Sequence, residues 1–290
     1  MMIPFADALK TDKILILDGA TGTQLAERCG VTGAMTGIEY PEVVKSVHAD
    51  YRAAGADIVL SNTFTGNRIA LQHASLADDF ERINSVGVKL CREGVGDDCY
   101  VAGDMSTTGQ FMEPLGEFTE EQFFDNAAEQ ARALEANGAD LIMIETMTDV
   151  REAAIAVRAA KKATQLAVIA SISFDPVGDS FRTMMGDTPE KAAHELTEAG
   201  ADVVGSNCGT IDPVEMSRLI AELRLYTSAP LMAMPNAGKP ELINNEVVFK
   251  LSPKDFAEGV LKCVGAGAKL VGGCCGTTPA HIFALKERLR

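Results

Sequence analysis

A short phrase, Gly-Ala-Asp or Gly-Ala-Lys after one further residue, occurs four times in this chain and each time leads straight into an apolar run. The four are Ala54-Gly55-Ala56-Asp57 before Ile58-Val59-Leu60, Asn137-Gly138-Ala139-Asp140 before Leu141-Ile142-Met143-Ile144, Ala199-Gly200-Ala201-Asp202 before Val203-Val204-Gly205, and Ala266-Gly267-Ala268-Lys269 before Leu270-Val271. A segment with helical periodicity precedes each glycine. Glycine tolerates the left-handed backbone that ends a helix, so each phrase reads as a junction from helix to strand. Four more apolar runs lie between them: Ile14-Leu15-Ile16-Leu17, Tyr100-Val101-Ala102, Ala167-Val168-Ile169-Ala170-Ser171-Ile172 and Pro230-Leu231-Met232-Ala233-Met234. Interleaved, the eight candidate strands recur every roughly 30 to 45 residues, with helical pattern in gaps such as 120–137 and 189–199.

Eight strand–helix units in 290 residues predict an α/β fold, a single (β/α)8 TIM barrel occupying 1–290 as one domain. A hydrophobic content of 47% is enough for one large core. In such a barrel the chemistry sits where the strands end, which requires reactive or glycine-rich residues directly after each run. They are there: Asp18-Gly19-Ala20-Thr21-Gly22-Thr23, Ser61-Asn62-Thr63-Phe64, Gly103-Asp104-Met105-Ser106, Glu145-Thr146, Ser173-Phe174-Asp175, Asn207-Cys208, Pro235-Asn236-Ala237-Gly238 and Cys274-Cys275.

Cys274 and Cys275 stand between glycines in Gly272-Gly273-Cys274-Cys275-Gly276, where both thiols can turn toward one point. Cys208, also followed by glycine, ends the sixth run, one strand removed from the eighth around a barrel. Three thiolates suit zinc and leave its fourth tetrahedral position open to water or substrate, as in catalytic sites. Two other readings remain: a closed structural site completed by His281, and a metal-free cluster filling the barrel mouth. Cys29, Cys91, Cys99 and Cys263 lack the glycine context and read as packing. Seven cysteines, an odd number without a secretion signal, favour metal binding or catalysis over a disulfide framework. The N-terminus, Met1-Met2-Ile3-Pro4-Phe5, has no basic start or apolar centre, so a cytoplasmic location is expected. A net charge of −15 argues against nucleic acid or an anionic membrane surface as partner.

The set Asp18-Gly19-Ala20-Thr21-Gly22-Thr23, Ser61-Asn62-Thr63-Phe64, Glu145-Thr146, Asn207-Cys208-Gly209 and Gly272-Gly273-Cys274-Cys275-Gly276 resembles the homocysteine S-methyltransferase family from about Leu15 onward. The resemblance implies a zinc-containing barrel, its metal held by Cys208, Cys274 and Cys275, that binds homocysteine through sulfur and methylates it to methionine. It also implies that Glu145 and Asn236, with Asp18, hold the substrate's amino group. The backbone amides of the turn from Asp18 through Gly19 to Thr23 suit the carboxylate. Zinc would deprotonate the substrate thiol, and three thiolate ligands would keep it electron-rich.

The segments 108–116, 181–186 and 235–240 resemble the homocysteine-binding module of cobalamin-dependent methionine synthase more than the betaine-using enzymes. The expected donor is therefore a methyl-corrinoid on a separate protein. The alternative is a small onium donor, S-methylmethionine or betaine-like. A betaine cage needs aromatic side chains, and the candidates here are Phe64, Phe111 and Phe174. A non-catalytic module binding zinc and a thiol amino acid is a reading of another class. A zinc hydrolase is disfavoured, because none of His48, His73, His194 and His281 follows a strand. The polar segments 178–187 and 239–246 read as lids, docking loops or plain solvated loops.

Overall fold

In each of the four repeated phrases the glycine adopts φ between 97° and 109°, which ends the helix and starts the strand. The residue closing the phrase has its own task. Asp57 Oδ2 accepts from Ile16 N (3.0 Å), Asp140 Oδ2 from Val101 N (2.8 Å) and Asp202 Oδ2 from Val168 N (2.7 Å). Each aspartate thus takes up an N–H at the start of the neighbouring strand, and each is paired with a basic side chain: Lys13, Arg92 and Lys161. At the fourth phrase Lys269 instead donates to the carbonyls of Thr11 and Lys13 before the first strand.

A computed structural model describes residues 2–243 and 246–289. Its main sheet has eight strands: β1 Leu15–Ile16, β2 Ile58–Leu60, β3 Tyr100–Met105, β4 Leu141–Met147, β5 Ala167–Ile172, β6 Val203–Asn207, β7 Leu231–Met234 and β8 Ala268–Val271. Helices follow them: α1 Pro41–Ala54, α2 Phe80–Val95, α3 Glu120–Ala136, α4 Val150–Ala163, α5 Pro189–Glu198, α6 Pro213–Leu223, α7 Pro253–Gly265 and α8 Pro279–Leu289. The order around the sheet is β1-β8-β7-β6-β5-β4-β3-β2, with every pair parallel. A parallel bridge between Leu17 and Ile58 closes the circle. Asp57 N donates to Ile16 O (2.7 Å) at the same seam, and Leu60 N donates to Asp18 Oδ2 (2.9 Å). The fold is the expected (β/α)8 barrel.

Alternate residues of the strands fill the interior, among them Leu17, Leu60, Met143, Ile169, Val203 and Met232. A short helix, Phe5–Ala8, covers the end where the strands begin. The ring of Phe5 meets Tyr100 edge-on at 5.5 Å, and Tyr100 Oη donates to Ile3 O (2.6 Å). The other apolar face of each strand packs against the helices in one large cluster. No described helix is long and apolar enough to cross a membrane.

The strand boundaries differ from expectation where chemistry begins. β4 and β6 run on through Glu145-Thr146 and Asn207, residues read from sequence as lying beyond the strands. The polar segments after β5 and β7 form two-stranded hairpins, Asp175–Val177 with Ser180–Arg182 and Glu241–Ile243 with Glu246–Val248. Residues 244 and 245 of the second segment lie outside the described residues.

Candidate active site

The cysteines are placed by backbone hydrogen bonds among three adjacent strand ends. Cys208 has φ 60° and Gly209 φ 69°, a left-handed pair that turns the chain sharply after β6. Cys208 N donates to Met234 O at the end of β7 (3.3 Å). Beyond β8, Gly273 N donates to Asp18 O (2.9 Å), Cys274 N to Pro235 O (2.9 Å), and Ala237 N to Cys275 O (2.9 Å). Thr277 ties this turn to the first: its hydroxyl donates to Cys274 O (2.7 Å) and accepts from Ala20 N (3.0 Å). A Cβ on Gly19 would lie 2.6 Å from that hydroxyl oxygen and 2.9 Å from the Tyr51 ring, so the two turns meet because Gly19 lacks one.

The three sulfurs of Cys208, Cys274 and Cys275 lie within 4.8 Å of one another, and the Cys208–Cys275 separation is 3.8 Å. Sulfurs about 2.3 Å from a tetrahedral zinc are about 3.8 Å apart, so the donor set and its spacing both fit that ion. Hydrogen bonds from Cys208 and Cys274 pull the Cys275 thiol down to about 3. The same two-way bonding with Cys208 and Cys275, then burial, pushes Cys274 up. His281 is engaged elsewhere. Its Nε2 meets Leu251 O at 3.0 Å and its Nδ1 meets the Thr278 hydroxyl at 2.9 Å, so the closed site with a histidine ligand does not form. Cys91, Cys99 and Cys263 are buried and Cys29 half-buried, all away from the cluster, as packing residues.

The thiols open onto a cavity of about 330 Å³. Gly19, Glu145, Cys208, Cys274 and Cys275 line it; Asp18 and Asn236 are buried and do not. Asp18 spends Oδ2 on the β1–β2 seam, while its buried Oδ1 has no partner. Asn236 Nδ2 donates to Gly209 O (2.7 Å), steadying the turn that carries Cys208, and its Oδ1 is likewise buried and unpartnered. The turn at Gly19 passes directly into a helix, Thr21–Cys29. Its first-turn residues face the cavity, and a helix leaves those N–H groups without internal partners.

Asp104, at the end of β3, was not singled out by sequence as a site residue. It lines the cavity, is 4% exposed, and its Oδ1 has no partner. The available signal was its place directly after an apolar run. Burial, reinforced by the neighbouring Glu145, pushes the Asp104 carboxyl well above the ordinary range. Glu145 is raised to about 8 by burial and by Cys208, and Asp18 is raised by burial. No lysine, arginine or histidine lines the cavity among the described residues. It is a pocket of buried carboxyls and thiols suited to a cationic group and a soft metal.

A (β/α)8 barrel with a three-thiol cluster at the strand ends fits a thiolate metal site open to a substrate. The sequence pattern of the family described as homocysteine S-methyltransferase matches residues 15–289, and the chain belongs to that family. It is 31% identical over 94% of its length to methionine synthase of Mycobacterium tuberculosis, and 31% identical over 95% to that of Mycobacterium leprae. The chain spans 24% of each of these relatives, about a quarter. Among solved structures, the metallated homocysteine methyltransferase MmuM of Escherichia coli superposes with a TM-score of 0.79 at 25% identity, over 99% of this chain and 100% of that one. The carboxyl transferase domain of Rhizobium etli pyruvate carboxylase, with a TM-score of 0.53 at 16% identity, shares the fold alone.

Proposed function

We propose that this chain is one homocysteine-binding barrel, a zinc-dependent methyltransferase that moves a methyl group to the thiol of homocysteine to give methionine. The observation that carries the reading is the convergence of the Cys208, Cys274 and Cys275 sulfurs on a cavity that Glu145 also lines. A thiol amino acid presents the complementary pair, a soft sulfur and an ammonium group. Bound by the three cysteines, zinc would supply the chemistry of a Lewis acid that keeps the substrate sulfur as thiolate at neutral pH. Glu145 would accept from the ammonium, whose positive charge favours the ionised form of that carboxyl. The first-turn amides of the Thr21–Cys29 helix would hold the carboxylate. The three thiols stay available for metal only in a reducing compartment, which fits a cytoplasmic protein.

The donor reading rests on different ground. In the mycobacterial methionine synthases the matched part is about a quarter of a longer chain, and a methyl-corrinoid held outside the barrel, here on a separate protein, is the donor we favour. A second reading is a small onium donor, and the likeness to the homocysteine methyltransferase MmuM, which covers that chain in full, is compatible with it. A betaine cage finds little support, since Phe64 alone of the three candidate aromatics lines the cavity; Phe174 is buried and Phe111 lies out on the surface.

The test is methionine formation by the zinc-loaded protein from homocysteine with free methylcobalamin, S-methylmethionine or betaine. Turnover with methylcobalamin above the other donors is the expected result. Preference for S-methylmethionine would replace the corrinoid reading. Tight homocysteine binding without turnover from any donor, even with a corrinoid protein added, would favour the non-catalytic module.

A further inference from the structure

The ladder between β4 and β5 pairs Ile144 with Ala170 and Met147 with Ile172, so β4 carries one residue more than its neighbour in that interval. A bulge of this kind re-aims a side chain and leaves an N–H without a ladder partner. Thr146 sits in it with φ 56°, an unfavourable backbone for a β-branched residue. What holds the bulge is the side chain of Asn207, at the end of β6 and fully buried.

Asn207 Oδ1 accepts from Thr146 N (2.9 Å) and from Ser171 Oγ (2.7 Å). Two donors on the oxygen fix which way round the amide sits. Its Nδ2 therefore faces the acceptors, donating to Glu145 Oε2 (2.5 Å) and Thr146 Oγ1 (2.8 Å), with Cys274 Sγ at 3.7 Å. Asn207 is not among the residues that line the cavity. It lies just behind Glu145, Thr146, Cys208 and Cys274, which are.

We propose that Asn207 is a positioning residue: it stabilises the bulge at Glu145-Thr146, turns the Glu145 carboxylate toward the ammonium of the bound amino acid, and fixes that carboxylate relative to the thiol Cys274. The role rests on the homocysteine reading above. One amide thereby sets the distance between the sulfur-binding and amine-binding ends of the site.

The test compares binding of homocysteine and of 4-mercaptobutanoate, which keeps the thiol and carboxylate but lacks the amine, to zinc-loaded protein by calorimetry. The variants are Asn207→Asp, which keeps the acceptor toward Thr146 and Ser171 but loses the Nδ2 donors, and Asn207→Ser, each alone and combined with Thr146→Gly. Glycine accepts the left-handed backbone, so the combined variants separate loss of aim from strain in the bulge. Losing a hydrogen bond to a charged group predicts homocysteine binding weaker by about 10- to 100-fold, and 4-mercaptobutanoate changed by less than about threefold, with zinc stoichiometry retained. Equal weakening of both ligands, unchanged homocysteine binding, or failure of every variant to fold would reduce Asn207 to a structural residue and sink the proposal. If the unaltered protein binds both ligands equally well, it is the homocysteine reading that fails.

Discussion

Cys274 and Cys275 could be recognised from sequence because adjacent thiols between glycines have few uses other than a shared ligand. Cys208 followed once its strand was counted. Replacing Cys208 by Ala leaves two sulfur donors, and the expected result is a fall from one bound zinc per chain to well below that, with methyl transfer lost, measured by elemental analysis after dialysis. Retention of stoichiometric zinc and full activity would overturn the three-thiolate site. Asp104 and Asn207 were visible as polar residues after apolar runs, yet their roles were not. Whether such a side chain faces the cavity, the helices or a neighbouring strand depends on register, and one added residue in β4 decides it for Glu145.

At the scale of elements, the repeated Gly-Ala-Asp phrase carried more information than its glycine. Its aspartates accept from the first N–H groups of adjacent strands, contacts that a single-chain reading cannot assign because the partner lies some 34 to 41 residues away. Helix α1 holds a different device. His48 is completely buried, and neither ring nitrogen has a partner. Burial pulls its pKa down to about 4, against about 6.5 in the unfolded chain. Between these values the unfolded chain binds a proton that the folded one does not, so the stability is full above pH 6.5 and is lost as pH falls toward 4. The loss amounts to at most about 3 kcal/mol. The buried carboxyls of Glu145, Asp18 and Asp104 work the other way, being raised, so the comparison must be between proteins. In urea titrations of metal-free protein at stepped pH, His48→Leu should gain on the parent progressively from pH 6.5 to 4, by about that amount. Parallel pH profiles would show that His48 finds a partner or water.

At the scale of the molecule, the barrel separates stability from chemistry by its two ends. The cavity lies where strands finish, and the Phe5–Ala8 helix covers the end where they begin. Phe5 is 3% exposed and packs on Tyr100. Truncation by Phe5→Ala should cost about 3 to 5 kcal/mol, read as a lower thermal midpoint. Zinc stoichiometry and the homocysteine KM should stay within about twofold. A large change in either would mean that the closed end is coupled to the mouth.

The alternation of strands and helices is legible in the chain before it folds, because apolar period and helix-ending glycines are local properties. The candidate three-thiol cluster was legible there too, because thiol chemistry belongs to residue types. Which polar side chains meet depends instead on the closed barrel. Closure of the sheet turns sequence separation into adjacency, so Asn207 reaches Glu145, Ser171 and Cys274 from one position. Burial at that meeting place then raises the carboxyls, since desolvation depends on everything packed around a group and on nothing in its own sequence neighbourhood.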